Sequence, residues 1–306
     1  MKFKYGIIFA LIFILFFIDF PQIFASRSLD RIADFTHIII FALLVTMAIR
    51  YFNAFHKFSP GRQFWYILIF TILLSMLIEF LQFFSHRTPD IGDILRNILG
   101  AGIGFVYAYK MSLRRKPYFK IVMGLLLLCV CFELYFVVRA VSDDTRARIN
   151  FPVLADFESS YEIDRWEGRA EYKIVDNISK SGAHALQVKF LKDAFSDISL
   201  IHFPGDWQDY ANLALHIFNT GQDTVTLFIR IYDIGYHETK SEEKFDRYNS
   251  HFRLDPGWNT ITIPIEEIIA GPKMRKIDIT HLTRIRLFTQ FLPADRVLYF
   301  DYFRLN

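Results

Sequence analysis

The chain has 306 residues, of which 53% are apolar, 34 of them Phe, and a formal net charge of only +3. So slight a charge leaves no basic stripe for a phosphate backbone, and no nucleic-acid partner is expected. Apolar runs fill the chain to about residue 140 and strand-like alternation follows, so two domains are expected: a membrane domain over 1–140, a linker over 141–152 and a β domain over 153–306.

Five runs approach the roughly 20 residues that a spanning helix needs: 5–24, 33–51, 64–84, 91–109 and 119–138. The first has a basic start and small residues at Phe24-Ala25-Ser26, as a signal peptide would. Its apolar core outruns the usual length, so it reads as a span. The fourth is the weakest, with Asp93, Arg96 and Asn97 in its first two turns, but its Gly100-x-x-x-Gly104 spacing would let a neighbouring helix approach closely. Basic residues alternate between the loops. Lys2 and Lys4 precede the first span; Arg50, Lys57 and Arg62 follow the second; Lys110, Arg114, Arg115, Lys116 and Lys120 follow the fourth. The opposite loops hold only Arg27, Arg31 and Arg87. The positive-inside rule puts the amino terminus in the cytoplasm and everything past the fifth span outside. The two cysteines, Cys129 and Cys131, lie two residues apart on one helix, where they point in different directions, so no disulfide is expected.

Polar residues gather where the spans meet the outer face. Glu79, Gln82 and His86 share one face of a helix at i, i+3 and i+7, and Asp93, Asn97 and Gly100 repeat that spacing on the next, with Asp90 one turn earlier. His37 enters the second span from the same side, and Glu133 and Asp19 lie near the outer ends of the fifth and first. Ionisable groups at membrane depth are functional candidates by default. In a catalytic reading Glu79 is general acid or base, His37 shares the proton, and Arg87 clamps a phosphate, with Asp93 assisting. Gln82, His86, Asp90 and Asn97 are then substrate-binding candidates. A divalent cation on Asp90 and Asp93, or zinc on His37, His86 and Glu79, is a further option, although the spacing matches no standard metal motif. The competing reading is a network of ion pairs that ties the helices together, Arg87 meeting Asp90 or Asp93.

Glu79-x-x-Gln82 followed by Arg87, Asp93, Asn97 and Gly100, with His37 upstream, resembles the VanZ-like family of bacterial membrane proteins over residues 5–110. That family usually shows Asp-Lys ahead of its histidine, whereas this chain has Asp30 and Asp34 there, either of which fits the acidic role. The resemblance implies a bacterial cytoplasmic membrane and, through the family's link to glycopeptide resistance, cell-envelope biology. A membrane lipid or lipid-linked envelope precursor is the expected partner.

Beyond residue 150, period-two runs such as Ala185-Leu-Gln-Val-Lys-Phe190, Thr226-Leu-Phe-Ile-Arg-Ile-Tyr232 and Val297-Leu-Tyr-Phe-Asp-Tyr-Phe303 are separated by turns at Ser181-Gly182, Pro204-Gly205, Thr220-Gly221 and Pro256-Gly257. This predicts an all-β sandwich. Asp156-Phe-Glu158, Asp206-Trp207-Gln-Asp-Tyr210, Pro256-Gly-Trp258 and Tyr299-Phe-Asp301 resemble carbohydrate-binding modules of the galactose-binding jelly-roll type, which implies a surface glycan as partner. Candidate glycan contacts are Trp207, Arg230, Asp233, His237 and Arg247, with Trp166, Trp258, Tyr232 and Tyr236 as further aromatic surfaces. Asp156, Glu158 and Asp301 could share a structural calcium where the first and last strands pair; the sequence assigns no other cofactor beyond the metal option at the helical cluster. The expected fold is thus a membrane helical bundle of about five spans followed by a β jelly-roll. Three functions remain open: recognition and modification of a lipid-linked envelope substrate at the outer leaflet, a non-catalytic glycan-binding receptor or scaffold, and proton-coupled transport, which the apolar inner half of the bundle disfavours.

Overall fold

A computed structural model describes residues 26–52, 57–84, 90–238 and 246–306. The expected first span, Asp19, His86 and Arg87 lie outside the described residues. Among the described residues, four helices are long and apolar enough to cross a membrane: α1 (Arg27–Tyr51), α2 (Pro60–Phe84), α3 (Ile91–Ala108) and α4 (Phe119–Asn150). Helices suit this setting because all their backbone groups are satisfied within the segment. Large side chains such as Leu43, Trp65, Phe70, Leu73 and Phe132 stay exposed, as a lipid-facing surface requires. The change of composition at Ser142 ends the apolar stretch but not α4, which runs on through the expected linker to Asn150.

The chain divides into two compact units, one built from the helices up to Arg139 and the other from Ala140 to Asn306. In the first unit the glycine pair of α3 lies against α1. A Cβ on Gly100 would collide with the backbone of Ile38, and one on Gly104 with that of Ala42. Thr46 then donates from Oγ1 to the carbonyl of Gly104 at 3.3 Å. The expected close approach is therefore present, and α1 is the partner.

The second unit is a sandwich of two antiparallel sheets. Strand order is β3-β4-β11-β6-β9, with β1 also on β11, in one sheet, and β2-β5-β10-β7-β8 in the other. Here β1 is Val153–Ala155, β2 Trp166–Gly168, β3 Glu171–Val175, β4 Ala185–Phe190, β5 Ser196–Ile201 and β6 Asn212–Asn219. The rest are β7 Val225–Asp233, β8 Tyr248–Leu254, β9 Gly257–Pro264, β10 Leu282–Thr289 and β11 Arg296–Leu305. Except at the hairpins β3–β4 and β7–β8, consecutive strands pass from sheet to sheet, as in a jelly-roll. Alternate residues of β6 and β7 point inward, and their Leu215, Ile217, Leu227 and Ile229 pack with Phe190, Trp207, Leu287, Phe300 and Phe303. The predicted turns fall between strands, and Gly257 takes φ +90°, open to glycine at little cost, where β9 begins.

Candidate functional sites

The helical unit is organised around Arg96, one turn into α3 and buried. Its guanidinium lies 2.7 Å from Asp93, 3.0 Å from Glu133, 3.4 Å from Asp34 and 3.4 Å from Asp90. Four carboxylates from α1, α3, α4 and the residue preceding α3 thus converge on one fork of donors, the geometry for which arginine is suited. Asp90 is also the N-cap of α3, accepting from the Gly92 amide at 2.8 Å. Asp34 lies 3.3 Å from Arg31 as well. Of the two acidic positions ahead of His37, Asp34 is the one that joins this network.

Behind Arg96 runs a second chain of contacts. Asn97 donates from Nδ2 to Ser75 Oγ at 3.0 Å, which turns its Oδ1 towards His37 Nδ1, also at 3.0 Å. In that orientation Nδ1 carries the proton and Nε2 faces Asp93 at 3.8 Å. Glu79, only 7% exposed, accepts the Asp90 backbone N–H on Oε2 at 2.8 Å, while its Oε1 is buried with no hydrogen-bond partner among the described residues. Gln82 is buried on the same helix. The structure therefore gathers Glu79, His37, Asp90, Asp93 and Asn97, as expected, and adds Arg96, Ser75, Asp34 and Glu133. Arg96 had a sequence signal: an arginine in the second turn of an apolar span cannot face lipid, and Asp93 stands three residues before it. Among the described residues, no three His, Cys, Asp or Glu are grouped to hold a metal.

In the sandwich the expected residues divide sharply. Trp207 is 0% exposed, packed in the core beside Phe203 with Nε1–H donating to Pro204 O at 2.9 Å. No sugar can stack on it without opening the sandwich; the turn that presents it serves the core. Trp166 is likewise buried, against Phe157 and Phe303. Asp233 is fully buried and bound to Arg275, at 2.6 Å from Nη2, and to the Asp278 amide at 2.7 Å. It fastens the turn after β7 to the loop before β10, which removes it from the surface. Glu158 accepts from the Ala183 and His184 amides at 2.7 and 2.9 Å, and Asp301 from the Ser181 amide at 2.8 Å. Asp156 accepts from the Glu158 amide at 3.2 Å. Each of these carboxylates binds a backbone N–H, Asp301 with its Oδ1 left buried and unpartnered among the described residues, and the three do not form a shared donor set. His216, near Asp301, has its pKa lowered by burial and then by Lys180. The side chain of His237 lies outside what is described.

Arg230 and Arg247 behave differently. On the sheet β2-β5-β10-β7-β8, Ile229, Ile231, Ile285 and Leu287 point into the core, so Arg230 and Arg286, directly cross-strand, point out, as do Phe228 and Phe288. The Arg230 guanidinium lies 4.3 Å from the Phe288 ring, and that of Arg247 lies 5.2 and 5.4 Å from the rings of Tyr232 and Tyr236. Phe228 stacks on Phe288 at 5.1 Å. The result is a floor of aromatic rings overlaid by arginines.

Comparison with known proteins fits this division. Residues 3–115 match the model of the VanZ/LLP1 family, less than half of the chain. No curated protein matches. Among solved structures, an exo-beta-agarase is 14% identical with TM-score 0.40, covering 50% of this chain and 24% of the agarase, so this chain spans only about a quarter of that enzyme. A family 11 carbohydrate-binding module from Clostridium thermocellum, in complex with a beta-1,3-1,4-mixed-linked tetrasaccharide, is 17% identical with TM-score 0.38, covering 50% of this chain and 93% of that one. The CBM22-1 xylan-binding domain from Paenibacillus barcinonensis is 14% identical with TM-score 0.36, covering 50% and 94%. The chain is a multi-pass membrane protein with a VanZ-like helical part. Its carboxyl-terminal half is a β-sandwich of two antiparallel sheets.

Proposed function

We propose that this protein resides in a bacterial cytoplasmic membrane, amino terminus inside and sandwich outside, and recognises a lipid-linked saccharide of the cell envelope. The sandwich takes the saccharide on the outward face of β2-β5-β10-β7-β8, and the polar cluster of the helical unit takes the lipid-linked end at the outer leaflet. The Lys/Arg distribution supports the orientation. One observation carries the saccharide half: that face bears the half-buried Phe228, stacked on the buried Phe288, with Arg230 over the same rings, where an idle solvent face would bear small polar groups. Flat rings beside hydrogen-bond donors are what a pyranose needs. The test is binding of envelope saccharides to full-length protein in detergent, wild type against Phe228→Ala. A loss of about tenfold or more is expected; no retention by folded wild type would refute the reading.

A second reading, that the cluster also modifies the lipid, rests on Glu79. Its Oε1 is a buried acceptor without a donor, beside the His37–Asn97–Ser75 chain. Such an atom is costly to keep unless something visits it. Mass spectrometry of envelope lipids incubated with wild type and with Glu79→Gln decides. A product formed by wild type alone makes this an enzyme with Glu79 as acid or base; a lipid retained but unchanged by both leaves a receptor or scaffold.

A further inference from the structure

We propose that the saccharide held on the outward sheet face is anionic, carrying carboxylate or phosphate groups that Arg230 and Arg247 receive. This rests on the reading of that face as the saccharide site and specifies its ligand class.

The argument starts from charge balance across the strands. One row of outward positions reads Glu167, Ser199, Arg286, Arg230, Asn249, placing two arginines directly opposite each other. Like charges so placed repel. Two flanking arginines of this face are compensated: Arg286 by Asp197 at 3.3 Å and Arg284 by Glu167 at 2.8 Å. Arg230 and Arg247 are not; no ion pair with a carboxylate involves either among the described residues. Arg247 donates to the Tyr236 hydroxyl at 2.9 Å and to Asn249 Oδ1 at 3.3 Å, both neutral. Arg230 Nε is buried with no hydrogen-bond partner.

The neighbouring carboxylates make this more pointed. Asp233 and Asp246 sit at the ends of the segment between β7 and β8, where they could have served Arg230 and Arg247. Both are taken instead by Arg275, from the loop before β10, Asp246 at 2.6 Å. The fold thus sequesters two acids and leaves Arg230, on the outward face, and the largely buried Arg247 beside it without a carboxylate among the described residues. Burial, then the charge of Arg247, lowers the pKa of Arg230, a sign that its charge lacks an internal counterion. Rings beneath the guanidinium planes offset only part of that loss. The Phe288 ring also fixes the plane of the Arg230 guanidinium, a fork suited to bidentate donation to an oxyanion, while Arg247 spends Nε and Nη1 on Asn249 and Tyr236.

The experiment titrates full-length protein in detergent with an oligogalacturonate, a glycerol phosphate oligomer and, as neutral probe, a mixed-linked beta-1,3-1,4 tetrasaccharide. It is run on wild type, Arg230→Gln, Arg247→Gln and the two Arg→Lys variants, each checked for an unchanged melting temperature. At least one acidic probe is expected to bind about tenfold or more tighter than the neutral one. Arg→Gln should remove that advantage, and Arg→Lys should keep part of it, since the charge survives but the fork does not. Whichever acidic probe wins tells carboxylate from phosphate. Equal binding of neutral and acidic probes, or acidic binding indifferent to both Arg→Gln changes, overturns the anionic assignment while leaving a saccharide site. Failure of every probe on folded wild type overturns the assignment, and failure of the full envelope-saccharide panel would remove the underlying reading too.

Discussion

Arg96 in the helical unit and Arg230 in the sandwich are both largely withdrawn from solvent, yet their surroundings are opposite. Arg96 is met by four carboxylates from separate segments, so acid is in excess and the cation is fully committed. Arg230 is met by a phenylalanine ring and another arginine, so base is in excess and the cation is uncommitted. The first pattern is what holds helices together where water cannot compensate a charge. The second costs stability that a folded domain has no reason to forgo unless a ligand supplies the missing anion. Among the described residues, Glu79 Oε1 in the helical unit and Arg230 Nε in the sandwich are two of the buried polar atoms without a hydrogen-bond partner, one an acceptor and the other a donor.

The contrast breaks most readily at Arg96. Arg96→Met strands four carboxylates at one point, and removing one partner of a buried pair costs roughly 3–5 kcal/mol. Loss of folded protein in detergent, or a large fall in melting temperature, is expected. Arg230→Gln should leave the melting temperature within a few degrees of wild type. Equal damage from both would erase the distinction. Next in size is Gly100→Leu, which drives a side chain into the Ile38 backbone of α1. Overpacking of this kind costs roughly 1–3 kcal/mol. Gly102→Leu is the control, since a Cβ there meets only Leu126 Cδ2 at 3.6 Å, and its melting temperature should hardly move.

The sequence made these two regions unequally readable. Spans α1 to α4 and strands β4, β6, β7 and β11 follow from apolar length and from period two, because burial against lipid or core leaves few alternatives. The glycine pair of α3 was legible as a close approach, since only a missing Cβ admits one. The contents of the site were harder. Glu79, His37 and Asn97 could be gathered by depth, but Arg96 went unassigned because helical spacing does not say which arginine turns inward. Trp207 and Asp233 have the residue types of a sugar site, yet both stand at chain reversals, where one plugs the core and the other fastens a loop. Which polar residue at a turn is spent on the fold depends on partners distant in sequence, here Arg275 for Asp233. Arg230 and Arg247 were legible because alternation alone puts Arg230 outward.

Two smaller effects sharpen the comparison. In the sandwich unit, Glu162 has its pKa pushed up to about 8, chiefly by burial, with Arg165 pulling the other way and Asp156 adding to the rise. A raised pKa means that the folded state keeps a proton the unfolded state releases. The stability this contributes is complete below about 4.5 and is lost as pH rises through about 8. The melting temperature of wild type should fall over that window and that of Glu162→Gln should fall less. Asp301, raised chiefly by burial, acts in the same direction. Glu158 and Asp278, where donors and His184 or His281 outweigh burial, have lowered pKa values and act only at more acid pH. A wild-type curve that rises over the window, or an unaltered curve in Glu162→Gln, would remove Glu162 from this role.

The smallest expected effect is that of Glu79→Gln. Its amide oxygen can still accept the Asp90 N–H that Oε2 accepts at 2.8 Å, and its amide nitrogen falls where Oε1 has no partner. Volume and the one existing hydrogen bond are preserved, so the melting temperature should shift by the equivalent of about 1 kcal/mol or less. If Glu79 belonged to the same closed ion-pair network as Asp93 or Glu133, its neutralisation would be felt as theirs would. Comparing Glu79→Gln with Glu133→Gln by thermal unfolding tells these apart. A clear drop for Glu133, whose oxygen lies 3.0 Å from Arg96 Nε, with almost none for Glu79, would show that the helical unit contains one carboxylate not needed to hold it together. Any change in lipid handling by Glu79→Gln would then report on chemistry and not on a damaged fold.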